Sequence, residues 1–163
     1  MKKLFSYMLV LILLISSNIV PVMAQEMPAI PVDKNVRIGQ LENGLTYTCV
    51  KCVEEQHLAV NVGSGDLRVL ATPAMIALME EAAMRAVAEH LPEGATTVGG
   101  YIGSSHVKPT ALGRTVEATA TLVAVEGKKL KFTVVARDEE GVIGEGEHLR
   151  FVVDSEKFMA RLG

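Results

Sequence analysis

Glu80 sits where an acidic side chain is expensive to keep. It follows Ile76 by four residues and precedes Ala83 by three and Val87 by seven, so it falls within an apolar helical stripe. A carboxylate there must be hydrogen-bonded, paired or open to a cleft. Two roles fit: a salt bridge at a subunit seam, or a general base or nucleophile. Thr72 opens the same segment and reads as its N-cap, with Pro73 at the first helical position. A hydroxyl at a helix N-terminus also sits in a field that favours developing negative charge. Eight residues of helix separate Thr72 from Glu80 by about 12 Å of rise, so the two can line one groove without touching.

His106 is the third candidate. It lies near the end of a segment whose glycines, Gly99, Gly100 and Gly103, let backbone and ligand approach closely. His57, His90 and His148 lack that context and are expected to be structural or exposed. Cys49 and Cys52 form a lone C-x-x-C inside an apparent strand. One pair supplies two ligands where structural zinc wants four, and residues three apart on a strand face opposite ways, so one cysteine should point in and one out. No G-x-S-x-G elbow and no H-E-x-x-H or H-x-x-E-H occurs, which removes a serine α/β-hydrolase and a zinc peptidase.

The elements that must position these groups follow from periodicity. A strand is expected over 45–53 and a long helix over 72–90, with Met75, Ile76, Met79, Ala83 and Val87 on its apolar stripe and a stop at Leu91-Pro92-Glu93-Gly94. A weaker glycine-rich strand spans 96–108. The pattern then switches to period two: Val116, Ala118, Ala120, Leu122 and Ala124 alternate, and Leu130, Phe132, Val134 and Ala136 alternate after the turn at Glu126-Gly127-Lys128-Lys129. A last strand runs over 142–153. Strand, long helix and an antiparallel meander make an α+β fold with one helix packed on a curved sheet. Such a single layer leaves an edge open, which favours a dimer.

The chain of 163 residues allows one domain with a real core. Met1-Lys2-Lys3, the apolar run 4–22 and Val22-Met23-Ala24 read as a secretory signal peptide over 1–24, leaving no stable membrane span after cleavage. Residues 25–44, with Pro28 and Pro31, read as a linker, and 45–163 as the folded domain. The net charge of −3 becomes two units more negative once Lys2 and Lys3 are lost, and no basic stripe or Trp is present, so nucleic acid is an unsuitable partner.

Val62-Gly63-Ser64-Gly65-Asp66-Leu67 and the run Ala71-Thr72-Pro73-Ala74-Met75-Ile76-Ala77-Leu78-Met79-Glu80 resemble the hotdog thioesterases of the fluoroacetyl-CoA-thioesterase-like branch. So do Ser105-His106-Val107-Lys108-Pro109-Thr110-Ala111-Leu112-Gly113 and Gly144-Glu145-Gly146-Glu147-His148-Leu149-Arg150. The resemblance implies a hotdog fold, a homodimer with sites near the subunit interface, and an acyl-CoA substrate. It implies a catalytic set of Thr72, Glu80 and His106, and places Gly99 and Arg150 near the acyl group. It implies no cofactor and no metal, coenzyme A being part of the substrate. Fluoroacetyl-specific members carry bulky aromatics in the loop before the helix, whereas this chain has Val62-Gly63-Ser64-Gly65-Asp66. A general short or medium acyl group fits that loop better.

The segment from Val32 to Tyr47 instead resembles the mature start of secreted pitrilysin-type peptidases, without their metal motif, as if an export signal and linker had been fused to the domain. The signal points to the periplasm and the substrate to the cytoplasm. The expected reaction is thioester hydrolysis. Glu80 or a water it activates attacks the carbonyl, Thr72 and amides at the helix start stabilise or join the attack, and His106 moves protons. The rival is a hotdog module that binds acyl ligands without cleaving them. A hydratase on the same fold would want an Asp/His pair on one short segment, which this chain lacks.

Overall fold

The computed structural model describes residues 38, 39 and 41–163. The segment read as signal peptide, most of the linker and the first part of the peptidase-like stretch, 32–37, lie outside the described residues. Within them, Ile38, Leu41 and Leu45 pack against the core.

Five strands make one antiparallel sheet: β1 (Thr46–Cys52), β2 (Ala95–Ser104), β3 (Thr115–Glu126), β4 (Lys129–Asp138) and β5 (Gly141–Asp154), in spatial order β1-β3-β4-β5-β2. A short α1 (Ala59–Val62) precedes the long α2 (Thr72–Ala88), and α3 (Ser155–Ala160) closes the chain. The 3-10 turn Glu55–His57, α1 and α3 carry too few turns to show a periodicity in the sequence.

The sheet curls around α2. Met75, Leu78, Met79, Ala82, Ala83, Ala86 and Val87 form its buried face. They meet Val116, Ala118, Ala120 and Leu122 of β3, Leu130, Phe132, Val134 and Ala136 of β4, and Ile143 and Val152 of β5. The alternation read from 116 to 136 is therefore the inward face of the sheet, and its alanines let the helix sit close. Fully burying a side chain of the size of Met79 or Phe132 is worth roughly 1.5–3 kcal/mol. Cys49 is buried, Cys52 is exposed, and both are free thiols, as the strand parity requires.

Four expectations shift in detail. The cap of α2 is Ala71, and Thr72 is already helical. The Thr72 hydroxyl is therefore not tied to its own helix. His106 lies two residues beyond the end of β2 rather than inside it. Glu80 stands at the edge of the apolar stripe, with its side chain 41% exposed, because the face that meets the sheet runs through 75, 78, 79, 82, 83 and 86. The helix also ends at Ala88, two residues short of the expected limit.

Candidate active site

His106 is held by its neighbours on both sides. The Ser105 N–H donates to the Glu145 carbonyl at 2.9 Å and the Val107 N–H to the Ile143 carbonyl at 2.8 Å, so 105–107 runs along β5. Two glycines of β5 make that approach possible. A Cβ at Gly144 would strike the Ser105 carbonyl and stand 2.8 Å from the Met75 methyl, and one at Gly146 would strike the Gly103 backbone. On the other side Leu70 N–H donates to the Thr110 carbonyl at 2.8 Å, joining 106–110 to the lead-in of α2. The Thr110 hydroxyl is buried and donates to Asp138 at 3.0 Å.

These constraints bring Thr72 and His106 together. Thr72 Oγ1 and His106 Nδ1 lie 2.8 Å apart. Burial is the largest influence on the imidazole and lowers its pKa, with the Lys108 backbone working in the opposite direction. The ring is thus neutral at pH 7 and offers one nitrogen as a base. With the proton on Nε2, Nδ1 accepts from the Thr72 hydroxyl. Nε2 is buried and has no hydrogen-bond partner. The pair opens onto a cleft of about 420 Å³, bounded by Asp66, Leu67, Val69 and Val107 among others. That volume lies in the range of small-molecule sites.

Glu80 belongs to a second group. Its Oε1 lies 3.7 Å from His148 Nε2, and a Cβ at Gly99 would come within 2.6 Å of the same oxygen. Gly99 must therefore be glycine for Glu80 to keep its place. His148 is fully buried. Its Nδ1 lies 2.6 Å from the Tyr101 carbonyl, which can only accept, so Nδ1 carries the proton. Nε2 is then an acceptor, and the Arg150 Nη1–H donates to it at 3.1 Å. Burial foremost, and the Arg150 charge, depress the His148 pKa, while the Tyr101 carbonyl and Glu80 oppose them. The Glu80–His148 contact is consequently between a carboxylate and a neutral ring. Arg150 is anchored on Thr97, donating from Nε to Oγ1 at 2.9 Å and from Nη2 to the carbonyl at 2.8 Å. Burial lowers the Arg150 pKa and Glu80 opposes that shift.

The five residues singled out in the sequence thus fall into two groups, Thr72 with His106, and Glu80 with Gly99 and Arg150. His148 was expected to be structural or exposed; it is fully buried and contacts both Glu80 and Arg150. The signal for it was present: His148 and Arg150 are two apart on β5 and so share the inward face. Among the described residues no cluster of His, Cys, Asp or Glu could hold a metal ion, and no helix is long and apolar enough to cross a membrane.

Residues 53–156 match the family described as fluoroacetyl-CoA-specific thioesterase, FlK. The fluoroacetyl-CoA thioesterase of Streptantibioticus cattleyicolor is 43% identical over 94 residues, covering 58% of this chain and 68% of that enzyme. The solved structure of a fluoroacetyl-CoA thioesterase superposes with a TM-score of 0.72 at 33% identity, over 76% of this chain and 96% of that one. A hot-dog-like protein from Thermanaerovibrio acidaminovorans superposes with a TM-score of 0.68 at 27% identity, over 74% and 89%. A long helix wrapped by an antiparallel sheet, matched over this span, makes the chain a hotdog-fold member of the fluoroacetyl-CoA-specific thioesterase family.

Proposed function

We propose that the chain is a thioester hydrolase acting on acyl-CoA, with Thr72, His106 and Glu80 as its working residues. The observation that carries this reading is the 2.8 Å contact between the Thr72 hydroxyl and a neutral His106 at the mouth of the cleft. A carbonyl lodged there meets a hydroxyl, an imidazole base and the backbone N–H groups at the start of α2, which favour an oxyanion. Glu80, about two helical turns further along α2 and open to solvent, is read as activating the attacking water. Gly99 gives the acyl head room beside that carboxylate, and Arg150 acts on it from the sheet side. Coenzyme A leaves as the free thiol, and no cofactor takes part.

A second route has its own support. The Thr72–His106 geometry equally suits proton removal from Thr72, with the hydroxyl as nucleophile and Glu80 serving the following hydrolysis. The absence of aromatics from Val62-Gly63-Ser64-Gly65-Asp66 supports a general short or medium acyl group over fluoroacetyl. We read the working unit as a homodimer: β2 ends the sheet with one edge unpaired, and Tyr101 on it is 48% exposed.

Free-thiol release from a panel of acyl-CoAs tests the function. Turnover that is lost in Glu80→Gln and His106→Ala is the expected result. Ligand binding without thiol release would leave only a binding module. Thr72→Val separates the routes: complete loss marks the hydroxyl as nucleophile and partial loss marks it as a hydrogen-bond donor, while Thr72→Ser should keep activity on either route.

A further inference from the structure

Four polar side chains are buried among the described residues, and three of them, Thr97, His148 and Arg150, form one cluster directly behind Glu80. A cationic cluster is a costly way to fill a core that apolar residues could fill. We propose that His148 is a positioning residue that holds the Arg150 guanidinium off the Glu80 carboxylate and leaves that carboxylate free to react. The inference rests on the role proposed for Glu80.

Thr97 occupies two of the Arg150 nitrogens. The third, Nη1, reaches toward the helix, 3.5 Å from the Glu80 backbone carbonyl and 3.1 Å from His148 Nε2. Glu80 Oε1 stands 3.7 Å from the same Nε2. The ring nitrogen therefore contacts both cation and anion, and accepts an Nη1 N–H that would otherwise be free to turn onto the carboxylate. A direct bidentate pair would quench Glu80, since a carboxylate closed by a guanidinium is a weaker base and nucleophile. The ring itself is fixed at both ends, by the Tyr101 carbonyl and by Phe132, whose ring centroid lies 6.4 Å away. Among the described residues, Arg150 on its own strand and Glu80 from α2 are the groups that bring charge to His148. Its contacts from β2 and β4, the Tyr101 carbonyl and Phe132, are uncharged.

The test compares wild type with His148→Leu, His148→Gln, the double variant His148→Leu/Arg150→Met, and Glu80→Gln, measuring kcat and kcat/KM for acyl-CoA hydrolysis against pH. Leucine fills the space but accepts nothing, whereas glutamine keeps an acceptor. The expected result is a fall in kcat of about ten-fold or more in His148→Leu, about three-fold or less in His148→Gln, and recovery of kcat in the double variant with KM raised, because Arg150 also stands beside the acyl pocket. The acidic limb should move to lower pH in His148→Leu, where the guanidinium closes on Glu80, and return in the double variant. Equal losses in all three His148 variants, tracking Tm with the limb unmoved, would overturn the inference while leaving the role of Glu80 intact. Full turnover in Glu80→Gln would overturn both. A measurement on the intact wild-type protein covers a His148→Leu that fails to fold. Nitrogen NMR should find His148 neutral with its proton on Nδ1 at pH 7, and a doubly protonated ring there would contradict the proposal.

Discussion

The start of α2 and its middle solve the same problem in opposite ways. At the start, Thr72 and His106 meet through backbone: an N-terminal helical turn on one side and a segment laid along β5 on the other. Two turns later, Glu80 is set by side chains, with Gly99 leaving space and His148 and Arg150 rising from the sheet. The first arrangement faces a cleft and the second is backed by the core. Substitutions should therefore act mainly on chemistry at the helix start, and on chemistry and stability together in its middle.

The largest effect is expected at the reacting groups. His106→Ala and Glu80→Gln should each lower kcat by about 10²- to 10⁴-fold, with far-ultraviolet circular dichroism unchanged. A loss confined to one of them would mean that only one region takes part. Next comes the core that supports both. Met79→Ala, on the fully buried face of α2, should cost about 2–5 kcal/mol in urea unfolding. Gly99→Ala should follow, because its Cβ would enter the space of Glu80 Oε1. A fall in kcat of about ten-fold, with a smaller change in KM, would separate displacement of Glu80 from lost binding.

Stability against pH sharpens the contrast further. His106 and His148 both have folded-state pKa values pushed down by burial. The folded protein binds those protons more weakly than the unfolded chain does. Their contribution is complete above the ordinary histidine pKa of about 6.5 and is lost as pH falls through it toward the depressed values. Tm should fall between about pH 7 and pH 5, and His148→Gln should flatten that slope more than His106→Gln, because His148 is the more deeply buried. Asp138, whose pKa is also lowered, acts in a separate acidic window below the ordinary carboxylate range. The smallest effect is expected at Thr110→Val, which removes one hydrogen bond to Asp138 and should cost about 1 kcal/mol.

Much of this was legible in the chain because the relevant periodicities are local. The alternation from Val116 to Ala136 gave the inward sheet face, and the spacing of Met75, Met79, Ala83 and Val87 gave the helix. What periodicity does not encode is register between distant strands. The pairing of Gly99 with Arg150, which brings β5 side chains under Glu80, is set by a β2–β5 ladder with a bulge between Gly99 and Tyr101. His148 stayed unrecognised for that reason, although its parity with Arg150 was visible. The release of the Thr72 hydroxyl from capping depends on a one-residue shift in the helix start, which lies within the natural scatter of such boundaries.

The most direct measurement is a double-mutant cycle in kcat/KM for acyl-CoA hydrolysis, pairing His106→Ala with Glu80→Gln. If both ends of α2 serve one reaction, the double variant should lose little more than the worse single variant. Losses that simply multiply would mean that the two groups act independently, and the account of a single site spread along the helix would fail.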